Sequence, residues 1–348
     1  MDHSDATSPV NHPSDERLAW LLLDELRERL DSPALDYATP PRRLTGGFWA
    51  DMFVLHFTGV SGEVPAEVVA RITPDADLSA WETTVQAGVA AQGFPTPRIH
   101  LSGGADGPLG RAWSLMDLAE GSPLLSGLSG VSALLRLPRL ATRLPDQLAR
   151  IAAQLHQLDP IPIGASLESA TGRPVEVDGL LTHLEARATA LDDARIDAAL
   201  STLRRTRPEP ARAVVCHGDL HPFNVLAEGD KLTLLDWTAA QIADPTYDLA
   251  FTTLLVSTPP LDAPGALSPV ISAAAQRVGR RFLARYEHHT GSTIDRGLLD
   301  WHTTLHATRI LCDVAHWTAA GDGEGRTDHP WHALAPTMER IVDTAVAR

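Results

Sequence analysis

Apolar residues recur along this chain with two different periods, and the change of period divides it. Residues 16–31, "ERLAWLLLDELRERLD", set leucines at helical spacing with charges between them, which predicts a helix. Beyond it, "ADMFVLHF" alternates as a strand does, and a turn at Ser61-Gly62 leads into a second strand-like run, "VPAEVVARIT". Residues 77–93, "DLSAWETTVQAGVAAQG", return to helical spacing, with Asp77 near the N-cap and Gly93 closing the helix. "PTPRIHLS" and "RAWSLMDLAEG" alternate again and end at Gly121. Residues 40–118 therefore predict a small, mostly antiparallel sheet with one helix. The remainder is helical in period, near 130–158, 178–206, 265–290, 296–320 and 332–347. Within it only residues 212–216 and 231–236 read as strands, and they flank a polar loop.

Length changes this picture in one respect. A chain of 348 residues exceeds one typical core, so two lobes are expected. Their bounds are residues 16–118 and 119–348, and residues 1–15 are read as a disordered lead-in because they are polar and lack an apolar signal-peptide core. No apolar run approaches a membrane span. Two cysteines, Cys216 and Cys312, give neither a disulfide framework nor a ligand cluster, which fits a reducing, cytoplasmic setting. A net charge of −15 argues against nucleic acid as a partner. Of the 29 basic residues one is a lysine, Lys231.

The polar loop carries the chemistry. In "CHGDLHPFNVL", residues 216–226, a His, an Asp, a second His and an Asn follow an apolar strand, and a return strand ends at Asp236. If the strands pair about the Glu228-Gly229-Asp230 turn, Asn224 and Asp236 reach the same spot. A carboxamide oxygen with a carboxylate is a hard oxygen set that suits Mg²⁺. Asp219 is then free to accept a proton from an attacking hydroxyl. A base, metal ligands and a phosphate clamp are the parts phosphoryl transfer needs. A Cys216–His217 nucleophile pair is disfavoured, because neighbours on a strand point to opposite faces.

These residues resemble the catalytic loop of the aminoglycoside phosphotransferase and choline kinase family, relatives of the protein kinases. The pattern HGDxxxxN matches His217, Gly218, Asp219 and Asn224, and "LLDWTAAQIADPTYDLA" matches the family's second pattern. The resemblance spans roughly residues 40–320 and implies a two-lobed α+β, protein-kinase-like fold. It implies Asp219 as the catalytic aspartate, Asn224 and Asp236 as metal holders, and Asp248 as a brace for the loop. His217 is read as a structural support of the loop, and His221 either supports the loop or approaches the phosphate. In the first lobe the resemblance implies a hairpin at Gly46-Gly47 over the phosphates and Arg71 as their clamp, in place of the lysine that the chain does not have there. It further implies Glu82 as the partner of Arg71, and Met116 to Leu118 as the hinge that meets the nucleobase.

Asp248 follows Asp236 by only 12 positions, which leaves no room for the activation segment of a protein kinase. The expected activity is thus ATP-dependent transfer to a hydroxyl of a small molecule, with GTP an open alternative. A non-catalytic nucleotide-binding protein is the competing class. For the acceptor, His302, His306, Arg309, Asp313 and His316 recur at spacings of 4, 3, 4 and 3 and share one helix face. They are the candidate acceptor residues, against the plainer alternative of a solvated stripe. Asp313, Asp322 and Glu324 form too sparse an acidic set for a polycationic substrate. Oligomeric state is not legible.

Overall fold

A computed structural model describes residues 7–9, 13–44, 50–59, 62, 64–125, 131–172, 174–258, 268–320 and 329–348. Gly46, Gly47, Asp322 and Glu324 lie outside the described residues. The chain divides into two compact units. The first comprises Met1–Leu134, Ala165–Gly172 and Phe223–Thr238; the second comprises Leu135–Gly164, Arg173–Pro222 and Ala239–Arg348.

The first unit is built on an antiparallel sheet. Its strands are β1 (Thr7–Pro9), β2 (Asp36–Tyr37), β3 (Arg42–Leu44), β4 (Asp51–Thr58), β5 (Glu67–Thr73), β6 (Ile99–Gly103) and β7 (Ala112–Met116). The order is β1-β3-β4-β5-β7-β6, with β2 also on β4. Within the expected lead-in, Thr7–Pro9 pairs with Arg42–Leu44, and the first helix, α1 (Pro13–Arg29), begins at Pro13. Alternation along β4 sends Phe53 and Leu55 to one face and Val54 to the other. Leu22, Leu23 and Leu26 of α1 close over the first face together with Ile72, Trp113 and Leu115. Helix α2 (Ala76–Ala91) is capped by Asp75, whose carboxylate accepts the Leu78 amide, and not by Asp77 as its spacing suggested. Gly93 takes φ +80° just past its end, the left-handed turn glycine allows.

A second, three-stranded sheet belongs to the same unit: β8 (Ser122–Pro123), β10 (Val225–Glu228) and β11 (Lys231–Leu234), ordered β11-β10-β8. This hairpin turns at Gly229, which has φ +60°. It is fastened at Thr96, whose hydroxyl donates to the Leu234 carbonyl at 2.9 Å and accepts the Trp237 indole N–H at 2.9 Å.

The second unit is helical. It holds most of α3 (Val131–Leu155), then α5 (Val177–Ala188), α6 (Ala194–Arg205), α7 (Thr246–Ser257), α8 (Ser268–Thr290), α9 (Arg296–Ala320) and α10 (Trp331–Val346); α4 (Pro160–Thr171) runs across the division. The single helix expected over 178–206 is two, broken where Asp192 takes φ +50°. A strand missed by periodicity, β12 (Gln241–Ala243), pairs antiparallel with β9 (Val214–Cys216), and three residues are too few to show a period. Helix α9 is buried on most sides, and Leu305, Ala307, Ile310 and Cys312 join a core shared with Tyr247, Phe251 and Met338.

Candidate active site

The first unit supplies a buried cation. Arg71 lies on β5, across from Met52 on β4 and Ser114 on β7. Its Nε is 2.9 Å from Glu82 Oε2 on α2, and its Nη2 is 3.9 Å from Asp236 Oδ1. Arg71 and Glu82 are only 8% and 4% exposed, so the pair interacts where water screens little. Burial pushes the Glu82 carboxyl up to about 7; Arg71 pulls it back, and the Asp236 charge adds to the rise. The Arg71 guanidinium stays charged, because Glu82 and then Asp236 outweigh the cost of burying it.

Asp236 closes the same hairpin that Asn224 opens. The Leu235 amide donates to the Asn224 carbonyl at 2.9 Å, and Val225 faces Leu234. Asn224 and Asp236 therefore sit at one end of a short two-stranded ribbon. Asp236 has φ +66°, a backbone conformation costly for a residue other than glycine. Its Oδ1 accepts the Thr238 hydroxyl at 2.7 Å, and its side chain remains 26% exposed. Two neighbouring oxygen donors with one partly free carboxylate fit a hard divalent cation such as Mg²⁺.

The expected hinge stretch is held from within. The Asp117 carboxylate accepts the Arg98 amide at 3.0 Å and meets His100 Nε2 at 2.7 Å. Met116 joins Val54 and Val69 in a small apolar cluster, with Leu44, Met52, Ile99 and Leu118 packed against it. Val54 and Val69 were not singled out from sequence, because an apolar residue on a strand carries no mark of which face it serves.

In the second unit the loop after β9 is tied from below. Asp248, fully buried on α7, accepts the amides of His217 at 2.8 Å and Gly218 at 2.6 Å. Its second support is His156, directly after α3, whose Nε2 lies 3.1 Å from Asp248 and whose Nδ1 lies 2.8 Å from the Tyr286 hydroxyl. Burial alone would raise the Asp248 carboxyl, but His156 first, then His217 and the Gly218 amide, hold it low. His156 was missed because it is 92 residues away in sequence. Asp244 supports the start of α7, accepting the Thr246 amide at 2.9 Å and the Ala211 amide at 3.2 Å.

Gly218 has φ +74°, and a Cβ there would stand 2.0 Å from the Ala239 carbonyl oxygen. The tight bend turns Asp219 out to 23% side-chain exposure, with its amide on His217 Nδ1 at 3.2 Å and its Oδ2 3.5 Å from His221 Nε2. Burial acts to raise the Asp219 carboxyl, and His221, then Arg309 and His217, more than offset it, so the group is held below its usual range. Cys216 is fully buried, which drives its thiol well above its ordinary value and removes it as a nucleophile.

The expected acceptor stripe disperses. His302 Nδ1 meets the Thr246 hydroxyl at 2.8 Å, and His306 Nε2 donates to the Tyr247 carbonyl at 2.8 Å; at 3% and 0% exposure they hold α9 against α7 and present nothing to solvent. Asp313 pairs with Arg187 at 2.6 Å. His316 is half-buried near the end of the helix. Arg309 alone reaches the loop, its Nη2 3.0 Å from the Gly218 carbonyl. Helical spacing shows which residues share a face, and burial of the whole helix decides what that face meets.

Comparison with known proteins bears on the whole chain. A family model described as the phosphotransferase enzyme family matches residues 42–297. An aminoglycoside 3′-phosphotransferase of Streptomyces fradiae is 30% identical over 220 residues, covering 57% of this chain and 74% of the relative. Among solved structures, a putative aminoglycoside phosphotransferase from Ralstonia eutropha superposes with a TM-score of 0.63 at 17% identity, covering 96% of this chain and 98% of that one. An aminoglycoside phosphotransferase with ADP and hygromycin B superposes at 0.58 and 15% identity, covering 94% and 98%. The fold is accordingly kinase-like, and the chain belongs to the phosphotransferase enzyme family.

Proposed function

We propose that this protein transfers the γ-phosphoryl group of ATP to a hydroxyl of a small molecule. The observation that carries the reading is Asp219, held ionised and partly exposed on a loop whose amides are tied to buried Asp248. Asp219 receives the acceptor hydroxyl and takes its proton as the oxygen attacks phosphorus. The bond from phosphorus to the leaving β,γ-bridging oxygen breaks, and ADP departs. Arg71, fixed by Glu82, is the phosphate clamp, and its guanidinium can hold two oxygens where an ammonium would act as a point charge. Asn224 and Asp236 are the residues that would hold Mg²⁺, which when bound neutralises phosphate charge. The apolar cluster of Val54, Val69 and Met116 is the surface for the nucleobase, and the backbone at Met116 to Leu118 is its polar edge.

A similar fold carrying ADP and hygromycin B supports pairing a nucleotide with a polyhydroxylated small molecule. The short link from Asp236 to Asp248 speaks against a peptide acceptor. The presence in the sequence of all three residues, Asp219, Asn224 and Asp236, speaks against a non-catalytic nucleotide binder. The test is ATP turnover with Mg²⁺ over a panel of amino sugars, aminoglycosides, simple alcohols and peptides. Wild type is expected to phosphorylate a small hydroxyl compound. Asp219→Asn and Asp236→Ala are each expected to abolish transfer with the fold intact by circular dichroism. Undiminished turnover by Asp236→Ala would refute the metal assignment, and phosphorylation of peptides alone would refute the acceptor class.

A further inference from the structure

Arg309 carries a buried charge. It is 8% exposed, and among the described residues no carboxylate lies within ion-pair distance of it. Its guanidinium lies over the Phe251 ring at 4.9 Å and the Trp331 ring at 5.9 Å. Nη1 is 3.5 Å from the Tyr247 hydroxyl, Nη2 donates to the Gly218 carbonyl at 3.0 Å, and Nε has no hydrogen-bond partner. Burying a charge is costly unless it is paired. Cation–π contacts return part of that cost and a single strong bond returns more. An apolar residue would fill the place at less expense if packing were its only purpose, so the charge itself has a use.

The bond's address shows what the use is. Asp248 holds Gly218 by its amide, and Arg309 holds the same residue by its carbonyl. The two peptide planes that meet at Gly218 are thus each gripped, the one before it by its amide and the one leading to Asp219 by its carbonyl, about a residue free to rotate because it has no side chain. We propose that Arg309 is a positioning residue of the catalytic loop: by holding the Gly218 carbonyl it fixes the direction in which Asp219 leaves the loop. The inference rests on the reading of Asp219 as the group that meets the acceptor hydroxyl. It replaces a direct role for Arg309 in acceptor binding. The groups that act electrostatically on Asp219 are His221, Arg309 and His217, and the Arg309 charge also favours the ionised carboxylate.

The acceptor is unidentified, so the probe is hydrolysis of ATP with Mg²⁺, water standing in for the hydroxyl. Arg309→Met keeps the stem and removes the charge; Arg309→Lys keeps the charge and loses the fork. Arg309→Met is expected to lower kcat about tenfold to hundredfold, as loss of a hydrogen bond to a charged group does. KM for ATP should stay within about twofold, and the acidic limb of the pH profile should move to higher pH. Hydrogen exchange should quicken at the amides of residues 217–220 more than in α7, α9 and α10. Arg309→Lys should recover part of each loss. A kcat equal to wild type, a raised KM with unchanged kcat, or exchange that quickens evenly through the unit would each overturn the proposal, as would failure of both variants to fold. If wild type turns over no nucleotide, the phosphotransferase reading fails by that result. The exchange comparison then still decides whether Arg309 holds the loop.

Discussion

Arg71 is the single side chain on which the proposed phosphate clamp rests. It is buried beside Glu82 and within reach of Asp236, and the family's alternative at such a position, lysine, would offer a point charge. Arg71→Lys is expected to retain partial ATP turnover. Arg71→Ala should lower kcat/KM for ATP by about tenfold to hundredfold, the loss of one charge-assisted contact. Steady-state kinetics in ATP decides, and an Arg71→Ala enzyme with wild-type kcat/KM would remove Arg71 from the phosphate site. This residue was singled out through the family resemblance, which marks a basic residue on that strand and a glutamate on the next helix. Arg309 was legible only as a member of a helix face. Its partner Gly218 is 91 residues away, and no local pattern encodes that distance.

At the scale of the element, the loop after β9 and the first turn of α7 form one unit of structure. Removing the Asp248 carboxylate leaves two buried amides without an acceptor and His156 without its anion. Each unsatisfied group costs roughly 1–3 kcal/mol, so Asp248→Ala is expected to lose at least about 2 kcal/mol by urea denaturation. A loss below about 0.5 kcal/mol would show that the loop stands without it. Gly218→Ala tests the same joint from the other side. A methyl group 2.0 Å from the Ala239 carbonyl at φ +74° forces the loop to move, so catalysis should be lost in a protein that still binds nucleotide. Wild-type turnover in that variant would mean the bend is dispensable. The loop was readable because its residues are contiguous and its chemistry is in their side chains. The break at Asp192 was not, because a non-glycine residue in the left-handed region leaves no mark in sequence.

Over the whole molecule, buried titrating groups push stability in opposite directions in the two units. Glu82, in the first unit, has its folded pKa raised to about 7 from 4.5. A raised value means the folded state binds the proton more tightly, so its contribution is present below about 4.5 and is lost as pH rises through about 7. His302, in the second unit, has its folded pKa lowered by burial to about 4 from 6.5. The unfolded chain then binds more protons, so stability falls as pH drops from about 6.5 towards 4. His306 shifts the same way, chiefly by burial and next by the Arg309 charge. Hydrogen exchange on protein free of nucleotide and metal should show protection rising in the first unit and falling in the second between pH 7.5 and 5. Glu82→Gln should flatten the first trend, and parallel trends in both units would contradict the assignment. The division into a sheet region and a helical region was legible from the change of period. The membership of residues 223–238 was not, because their place with the first unit depends on bonds to Thr96 made across more than a hundred positions.

The proposed clamp at position 71 would also decide which reagents can see this enzyme. On the proposed reading, electrophilic nucleotide analogues that capture an amine beside the phosphates would find a guanidinium there, protonated at any workable pH and inert to acylation. The lone ε-amine belongs to exposed Lys231, at the turn of the β10–β11 hairpin, paired across from Glu228. An amine-directed fluorophore applied above neutral pH would therefore place one side-chain label on the tip of the ribbon whose other end bears Asn224 and Asp236. On that reading the nucleotide site would escape lysine-capturing probes, while Lys231 remains the one side-chain amine open to labelling.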